Sequence, residues 1–245
     1  MSSFFEKYIN SNTKLKPDNY NDKLKISVKT TKDSKLDGRQ ILILQPLVEF
    51  FSNTRNMYIL VNILNGRSII SLRLIEYFVV NYVLKNKLRF NILRYNNDKS
   101  YLVENLKEIT VEKEEQELDN KFDNMFLVHD NYKSQLKQYN KKNFDPFCRS
   151  KRIKMFYDID NDDKIYFDTT VAQLNFFKWA IDNYIIDYII DNLKTIEEAM
   201  TTYEKNIKQE KKTRKANGER RTKTTFVKKN KITMKLPNPH VIRFD

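Results

Sequence analysis

The sequence is poor in the residues that build phosphate loops, disulfides and metal sites. Its 245 residues include only 3 glycines, 1 cysteine and 2 histidines. Scarce glycine leaves almost no material for the glycine-rich turns that cradle nucleotide phosphates. One cysteine excludes an internal disulfide and a cysteine-based zinc site, and it fits a reducing compartment. His129 and His240 are too few for a histidine-rich metal site, so we predict no metal and no cofactor.

Long apolar runs are also missing. The N-terminal segment has no continuous apolar stretch of the kind that a secretory signal requires. Runs such as Ile41–Leu44 and Phe78–Val80 are far shorter than a membrane span. We therefore expect a soluble, intracellular protein with no membrane partner.

What the sequence does contain is apolar surface and positive charge. Hydrophobic residues make up 40% of the chain, with 14 Tyr and 16 Phe, which is enough for a folded core despite 31% charged residues. The net charge is +13, and the pI is near 9.5. Such a balance favours a polyanionic partner, either nucleic acid or an acidic protein surface. The alternative is a charge that serves solubility in a Lys-rich, Asn-rich chain.

The pattern predicts an α+β fold that is mostly helical, with small β-hairpins, two subdomains and a basic C-terminal arm. The acidic run from Glu112 to Glu117 is the best candidate boundary between the subdomains. The predicted parts are a weakly ordered polar arm (1–38), an N-terminal α+β subdomain (39–124), a C-terminal helix-hairpin-helix subdomain (125–204) and a basic tail that can end in a strand (205–245).

In the first half, residues 24–28 alternate like an edge strand. Pro46 predicts a strand followed by a short helix over residues 39–51. A buried helix over residues 56–66 should end at Gly66, a second helix should cover residues 68–87, and a strand should follow over residues 88–95. The two helices can be a DNA-reading helix-turn-helix or simply a packing unit.

In the second half, Tyr132, Leu136 and Tyr139 share one face of a predicted helix. Residues 152–159 and 164–170 are β-rich and predict a hairpin. Thr170 and Gln173 have the spacing of a capping box, which predicts a helix that bends near Asn183. Trp179 falls on the apolar side of that helix, so we predict a core role for it.

A dense basic segment begins within the helix of Tyr132 and continues beyond it. Asp145 is the one acid that opposes it, and Tyr139, Phe144 and Phe147 are interleaved with it. Basic side chains beside exposed aromatics are typical of single-strand or RNA surfaces. Alternatively, the aromatics anchor an irregular loop and the lysines form a solvated face. The candidate residues are Lys133, Lys137, Lys141, Lys142, Arg149, Lys151, Arg152 and Lys154.

A second basic segment lies near the C-terminus. Between residues 205 and 235, thirteen Lys and Arg residues stand against Glu210 and Glu219, a net charge of +11. We interpret the first part of this segment as a flexible basic arm. The nucleic-acid-binding candidates in it are Lys211, Lys212, Arg214, Lys215, Arg220, Arg221 and Lys223.

Cys148 lies beside Arg149 and Lys151, which can activate a thiol. No histidine or carboxylate close in sequence completes a nucleophile–base pair, so a packed thiol is favoured over a catalytic one. The aspartates around Asp160 are similar to the start of a calcium loop. Asp163 stands where such a loop needs glycine, and Thr169 where it needs glutamate, so a hairpin turn is favoured.

The segments YKSQLKQYNKKNFDPFCRSKRI (132–153) and TTVAQLNFFKWAIDN (169–183) resemble a family of uncharacterised proteins of giant nucleocytoplasmic DNA viruses of the mimivirus kind. NGRSIISLRLIEYFVVNY (65–82) resembles an upstream block of the same family. Ser150 stands where a further Arg is usual. The resemblance covers roughly residues 65–195 and implies a viral origin with life in a cytoplasmic factory, but no catalytic or binding roles.

These observations predict a non-enzymatic, basic nucleic-acid-binding protein of a large DNA virus, located in the viral factory of the host cytoplasm or in the virion. The alternative is a minor structural or assembly protein of the virion whose tail binds acidic viral partners. Deleting residues 205–245 separates the two, because only the first loses nucleic-acid retention. The choice of DNA or RNA and the oligomeric state stay open.

Overall fold

The computed structural model describes residues 23–30, 35–94, 100–104, 125–148, 151–158 and 164–218. Within these ranges the fold is α+β and mostly helical, as predicted. The strands are β1 (Lys25–Thr30), β2 (Phe90–Arg94), β3 (Ser100–Glu104), β4 (Met125–Phe126), β5 (Arg152–Asp158) and β6 (Lys164–Thr170). The helices are α1 (Gly38–Phe51), α2 (Thr54–Leu64), α3 (Leu72–Tyr77, continuing as a π-helix over Phe78–Tyr82 and as an α-helix over Val83–Lys85), α4 (Val128–Tyr139), α5 (Lys141–Phe144), α6 (Val171–Asp182), α7 (Ile185–Asp191) and α8 (Leu193–Ala216).

Two small antiparallel sheets carry the strands. The first has the order β1-β5-β6, which confirms both the edge strand and the β5–β6 hairpin. Its inner face buries Ile153, Met155 and Tyr157 because alternate residues of β5 point toward the core. The second sheet has the order β3-β2-β4. The aspartates of the hairpin turn, 159–163, lie outside the described residues.

Helix α1 corrects the expectation of a strand followed by a short helix. It runs unbroken from Gly38 to Phe51 with Pro46 inside it. Asp37 starts the helix with a capping box, in which its side chain and that of Gln40 each bond the other's backbone N–H. Leu42, whose carbonyl loses its partner to Pro46, is exposed. Water can therefore hydrogen-bond to that carbonyl, which lowers the free-energy cost of a proline inside the helix.

The α2–α3 pair contributes many side chains to the core. Helix α2 ends where predicted, and Gly66 follows it at φ 65°, a conformation that glycine adopts without strain. The π-helical turn of α3 bonds the Val83 N–H to the Phe78 carbonyl. Successive turns of α3 bury Leu74, Ile75 and Phe78. These buried positions are not available to a DNA groove, which favours the packing interpretation, and the choice between the two stays a prediction.

Helices α6 and α7 confirm the predicted bend. The Thr170 hydroxyl caps α6 by accepting from the Gln173 N–H at 3.1 Å, while the Gln173 side chain accepts from Thr169 rather than closing a capping box. The bend follows Asn183, and Tyr184 adopts a left-handed conformation at φ 55°. Trp179 is only 6% exposed, which confirms its core role.

Helix α8 corrects the picture of an arm that is flexible from residue 205. It extends to Ala216 and is followed by Gly218 at φ 66°. The reason is composition, because Lys, Glu, Gln, Arg and Ala favour helix and no Gly or Pro interrupts them. Residues up to Tyr203 belong to one compact unit, and residues from Glu204 belong to another.

Some predicted features fall on residues that the structure does not describe. They are the arm before residue 23, the acidic boundary at 112–117 and the tail from residue 219. Strand β4, which opens the predicted second subdomain, pairs with β2 of the predicted first one. The division at residue 124 stays a prediction.

Candidate nucleic-acid interface

Four lysines form what we call the helical basic surface: Lys133, Lys137, Lys141 and Lys142. All of them are exposed, whereas Tyr132 on the neighbouring face of α4 is buried. Lys133 and Lys137 lie on α4, and Lys141 and Lys142 lie on α5. Between α4 and α5 the chain turns sharply at Asn140, which has a φ of 64°. Asparagine tolerates this conformation better than most residues. The predicted helical face and its neighbouring row of lysines are therefore both present.

The aromatic residues of this segment have different roles. Phe144 is fully buried and stacks on Tyr139, with ring centroids 6.0 Å apart and an interplanar angle of 13°. It also contacts Trp179 edge-on at 5.8 Å. Phe144 is therefore an anchor of the segment and not a surface for bases. Phe147 is 45% exposed, so it remains accessible.

Buried amides fix helix α5 in place. The Asn143 side-chain oxygen accepts from Gln40 Nε2 at 3.3 Å, and its backbone carbonyl accepts from Asn175 Nδ2 at 3.0 Å. All three residues are buried. Buried amides that satisfy one another specify a single arrangement, because an unpaired one costs about 1–3 kcal/mol. Helix α5 is thereby tied to both α1 and α6.

Two hydrogen bonds from other helices hold helix α4 in place. Trp179 Nε1 donates to Asn131 Oδ1 at 2.7 Å, and Arg39 donates to the backbone carbonyl of Gln138. The helical basic surface thus stands on an ordered support, so its lysines keep a fixed spacing at their Cα atoms.

Arg152 and Lys154 belong to a different surface from the helical lysines. They lie on the solvent-facing side of the β1-β5-β6 sheet, which we call the outer sheet face. Alternation along the strands and the observed register place the following side chains on it: Lys25, Lys29, Arg152, Lys154, Phe156, Tyr166 and Asp168.

Two aromatic rings sit in the middle of the outer sheet face. Phe156 and Tyr166 are directly opposite each other, with ring centroids 5.4 Å apart. Lys29 Nζ lies 5.1 Å from the Phe156 centroid, and Lys154 Nζ lies 4.7 Å from that of Tyr166. These are cation–π distances. Asp168 is the acid opposite Lys154, and the side chains that the structure describes on this face carry a mixed but mainly positive charge.

Sequence reasoning missed Lys29, Phe156 and Tyr166 as site residues. The alternation in KISVKT and in the hairpin did place them on one face of each strand. That alternation does not reveal which strands pair, because β1 and β5 are far apart in the chain. The signal was therefore present but incomplete.

A cleft borders the end of the outer sheet face. Its volume is about 210 Å³. Cys148 is half-buried in its wall, and its N–H donates to the Asp145 carbonyl. No base is positioned against this thiol by any described contact, and the packed-thiol interpretation stays a prediction. The lining residues are Leu72, Pro146, Phe147, Cys148, Arg152, Asp168, Thr169, Thr170 and Gln173.

Acidic groups lie behind the helical basic surface. Burial raises the pKa of Glu76, the neighbouring Asp145 raises it further, and Arg73 opposes the shift. Burial, followed by the carboxylates of Asp145 and Glu76, raises the pKa of Tyr132 to about 12. The raised pKa values mean that the ionised forms of Glu76 and Tyr132 are both disfavoured beside the core.

We expect Glu76→Gln to change how stability depends on pH. A carboxyl whose folded pKa lies above its unfolded value binds its proton more tightly in the fold. The wild type should therefore lose stability relative to Glu76→Gln as pH rises from below 4.5 through the raised pKa. Urea unfolding at acidic and neutral pH measures this. The exposed Glu197→Gln is the control, and parallel pH profiles for wild type and Glu76→Gln would contradict the expectation.

The basic end of α8 belongs to the second unit. Its exposed cations are Lys205, Lys208, Lys211, Lys212, Arg214 and Lys215. The remaining predicted residues divide into two groups. Lys151 is exposed just before β5, whereas Arg149, Arg220, Arg221 and Lys223 lie outside the described residues.

Other kinds of site find no support in the described ranges. There, no group of three or more His, Cys, Asp or Glu side chains is arranged to hold a metal ion. Among the helices that the structure describes, none has the length and apolarity needed to cross a bilayer.

The chain belongs to DUF7197, a family of unknown function, whose sequence profile matches residues 21–119 and 111–237. It is 34% identical over 194 residues to "Uncharacterized protein L507" of Acanthamoeba polyphaga mimivirus. That alignment covers 78% of this chain and 65% of the mimivirus protein, so the chain spans just under two thirds of its relative. The predicted kinship with giant-virus proteins is confirmed. No solved structure matches the chain.

Proposed function

We propose that the protein binds nucleic acid without catalysing a reaction, through electrostatic contacts to phosphates. The observation that carries the proposal is the concentration of exposed cations on ordered elements. The helical basic surface, the outer sheet face and the basic end of α8 each present several of them with few acids nearby. Each cation that meets a phosphate releases a condensed counterion, which drives association.

Phosphate contacts of this kind carry no sequence information. Binding to many sequences is therefore the expected behaviour, and it fits a protein that associates with a viral genome or its transcripts. We propose that it acts in the viral factory of the host cytoplasm or in the virion.

Neutralising one surface at a time tests the proposal. Lys133→Gln/Lys137→Gln should weaken binding and lower the slope of log affinity against log salt by about two, or about one per lost phosphate contact. Lys211, Lys212, Arg214 and Lys215 changed together to Gln should lower it by up to about four. Fluorescence anisotropy with a labelled oligonucleotide measures both effects.

The control matched to Lys133→Gln/Lys137→Gln is Lys85→Gln/Lys194→Gln, which also removes two charges, but from exposed positions outside the three surfaces. It should leave the slope nearly unchanged. A drop in the control as large as that of Lys133→Gln/Lys137→Gln would mean that only net charge matters, and no drop in any variant would contradict the proposal.

The second candidate is an assembly protein that grips acidic viral partners. The exposed cations of α8 fit an acidic protein surface as well as they fit phosphates. Deleting residues 205–245 would then abolish particle incorporation while nucleic-acid binding stays intact.

A further inference from the structure

We propose that the outer sheet face is a stacking platform for unpaired bases, so that the protein prefers single-stranded nucleic acid to duplex. This inference rests on the proposed function and specifies its substrate. Single-stranded DNA and RNA share the chemistry involved, a charged backbone with free base faces.

The first step concerns the two rings, of which Tyr166 is exposed and Phe156 is half-buried. Tyr166 is 53% exposed and lies opposite Phe156 on the neighbouring strand, while the other side of the same sheet is packed into the core. An antiparallel sheet often leaves one face in water, but that face is normally polar. The two adjacent rings in the centre of this face are tilted by 39° to each other, so each can present its own apolar surface to a base.

The second step concerns the lysines above the rings. Lys29 and Lys154 lie diagonally across the register from Phe156 and Tyr166 and cover them. An exposed cation–π contact contributes about 0.5–1 kcal/mol, whereas stacking of a base on an aromatic side chain contributes about 1–3 kcal/mol. A base should therefore displace each ammonium from its ring. The flexible lysine stem then lets the charge reach the phosphate of the same nucleotide.

The third step concerns the direction of the strand. Beyond Tyr166 on β6, Asp168 and Thr170 continue along the sheet and line the cleft, together with Arg152 and the exposed Phe147. The cleft of about 210 Å³ is large enough for one more base. A nucleic-acid strand that follows the sheet therefore passes Cys148, which is half-buried in the cleft wall.

The fourth step excludes duplex as the preferred ligand. In a duplex the bases stack on each other, and their faces are closed to protein side chains. Duplex can meet the cations of the platform but not its rings. The platform should therefore add affinity for unpaired bases alone.

Ring removal tests the platform. Tyr166→Leu should lower affinity for a mixed-sequence single-stranded oligonucleotide, as DNA and as RNA, by about 5- to 150-fold, the equivalent of 1–3 kcal/mol. Affinity for the corresponding DNA duplex and the salt slope should not change. Tyr166→Phe, which keeps the ring, should bind like wild type. Circular dichroism establishes that both variants are folded.

The single cysteine gives an independent readout. Bound single strand should slow alkylation of Cys148 by iodoacetamide, and the duplex should slow it less. Equal affinity for single strand and duplex, with Tyr166→Leu binding like wild type, would overturn the platform and leave the proposed function standing. If saturating single-stranded oligonucleotide does not slow the alkylation of Cys148, the proposed path of the strand along the cleft is wrong. No binding to any oligonucleotide at low salt would overturn both the platform and the proposed function.

Discussion

Raising salt from 50 to 200 mM is expected to lower the affinity of the chain for nucleic acid by about 10³–10⁵, if 6–10 phosphates are neutralised. The helical basic surface, the outer sheet face and the basic end of α8 together hold more than enough cations for this number. The reason is entropic, because released counterions gain less freedom when the surrounding salt is already concentrated.

The measurement is a titration of a labelled oligonucleotide at several salt concentrations between these limits. Circular dichroism at the same concentrations shows whether salt affects the fold. Purified protein should also carry absorbance at 260 nm that high salt removes. An affinity that barely changes with salt would mean that phosphates are not the main contacts, and the proposed function would fail.

Trp179→Ala is expected to destabilise the first unit by about 3–5 kcal/mol, the range for truncating a buried aromatic side chain. The indole packs against Tyr132 at 5.7 Å, Phe144 at 5.8 Å and Phe176 at 5.7 Å. Its N–H also satisfies Asn131. Truncation therefore opens a cavity and leaves the half-buried Asn131 side chain without this partner.

Urea unfolding followed by circular dichroism measures the loss. Trp179→Phe is the matched control, since it keeps an aromatic ring and removes the N–H, and it should cost clearly less than Trp179→Ala. The helices that present the helical basic surface, α4 and α5, pack against Trp179 through Tyr132 and Phe144. Nucleic-acid binding should therefore weaken as the variant unfolds. A Trp179→Ala variant that unfolds at the urea concentration of the wild type would contradict the core assignment.

Local signals predicted much of the fold. Helical spacing, the Thr170 cap and the β-rich runs located α2, α3, α4, the β5–β6 hairpin and the bend at Asn183. Pro46 led to the wrong prediction of a helix break. The free-energy cost of a proline inside a helix depends on whether the carbonyl four residues earlier is exposed to water, and only the folded structure shows this. The dense positive charge of the last turns of α8 indicated a flexible arm. Their high helix propensity, which predicts a helix, was the better guide.

The candidate site was predictable only where its residues are close in sequence. The lysines of α4 and α5 lie within ten residues of each other, and they do share a surface. Phe144 was ambiguous because burial depends on partners such as Trp179, which comes from another helix. The outer sheet face needs β1 beside β5, and no local pattern states which of several short strands will pair.

The position of β1 has a consequence for synthesis. Val28 pairs with Met155, so β1 leaves the ribosome long before its partner strand exists. At typical elongation rates the gap is on the order of ten seconds. During that time an unpaired strand is open to pairing with other chains, and lysines on a strand discourage such pairing. We therefore expect Lys25 and Lys29 to reduce aggregation of the nascent chain before β5 is synthesised.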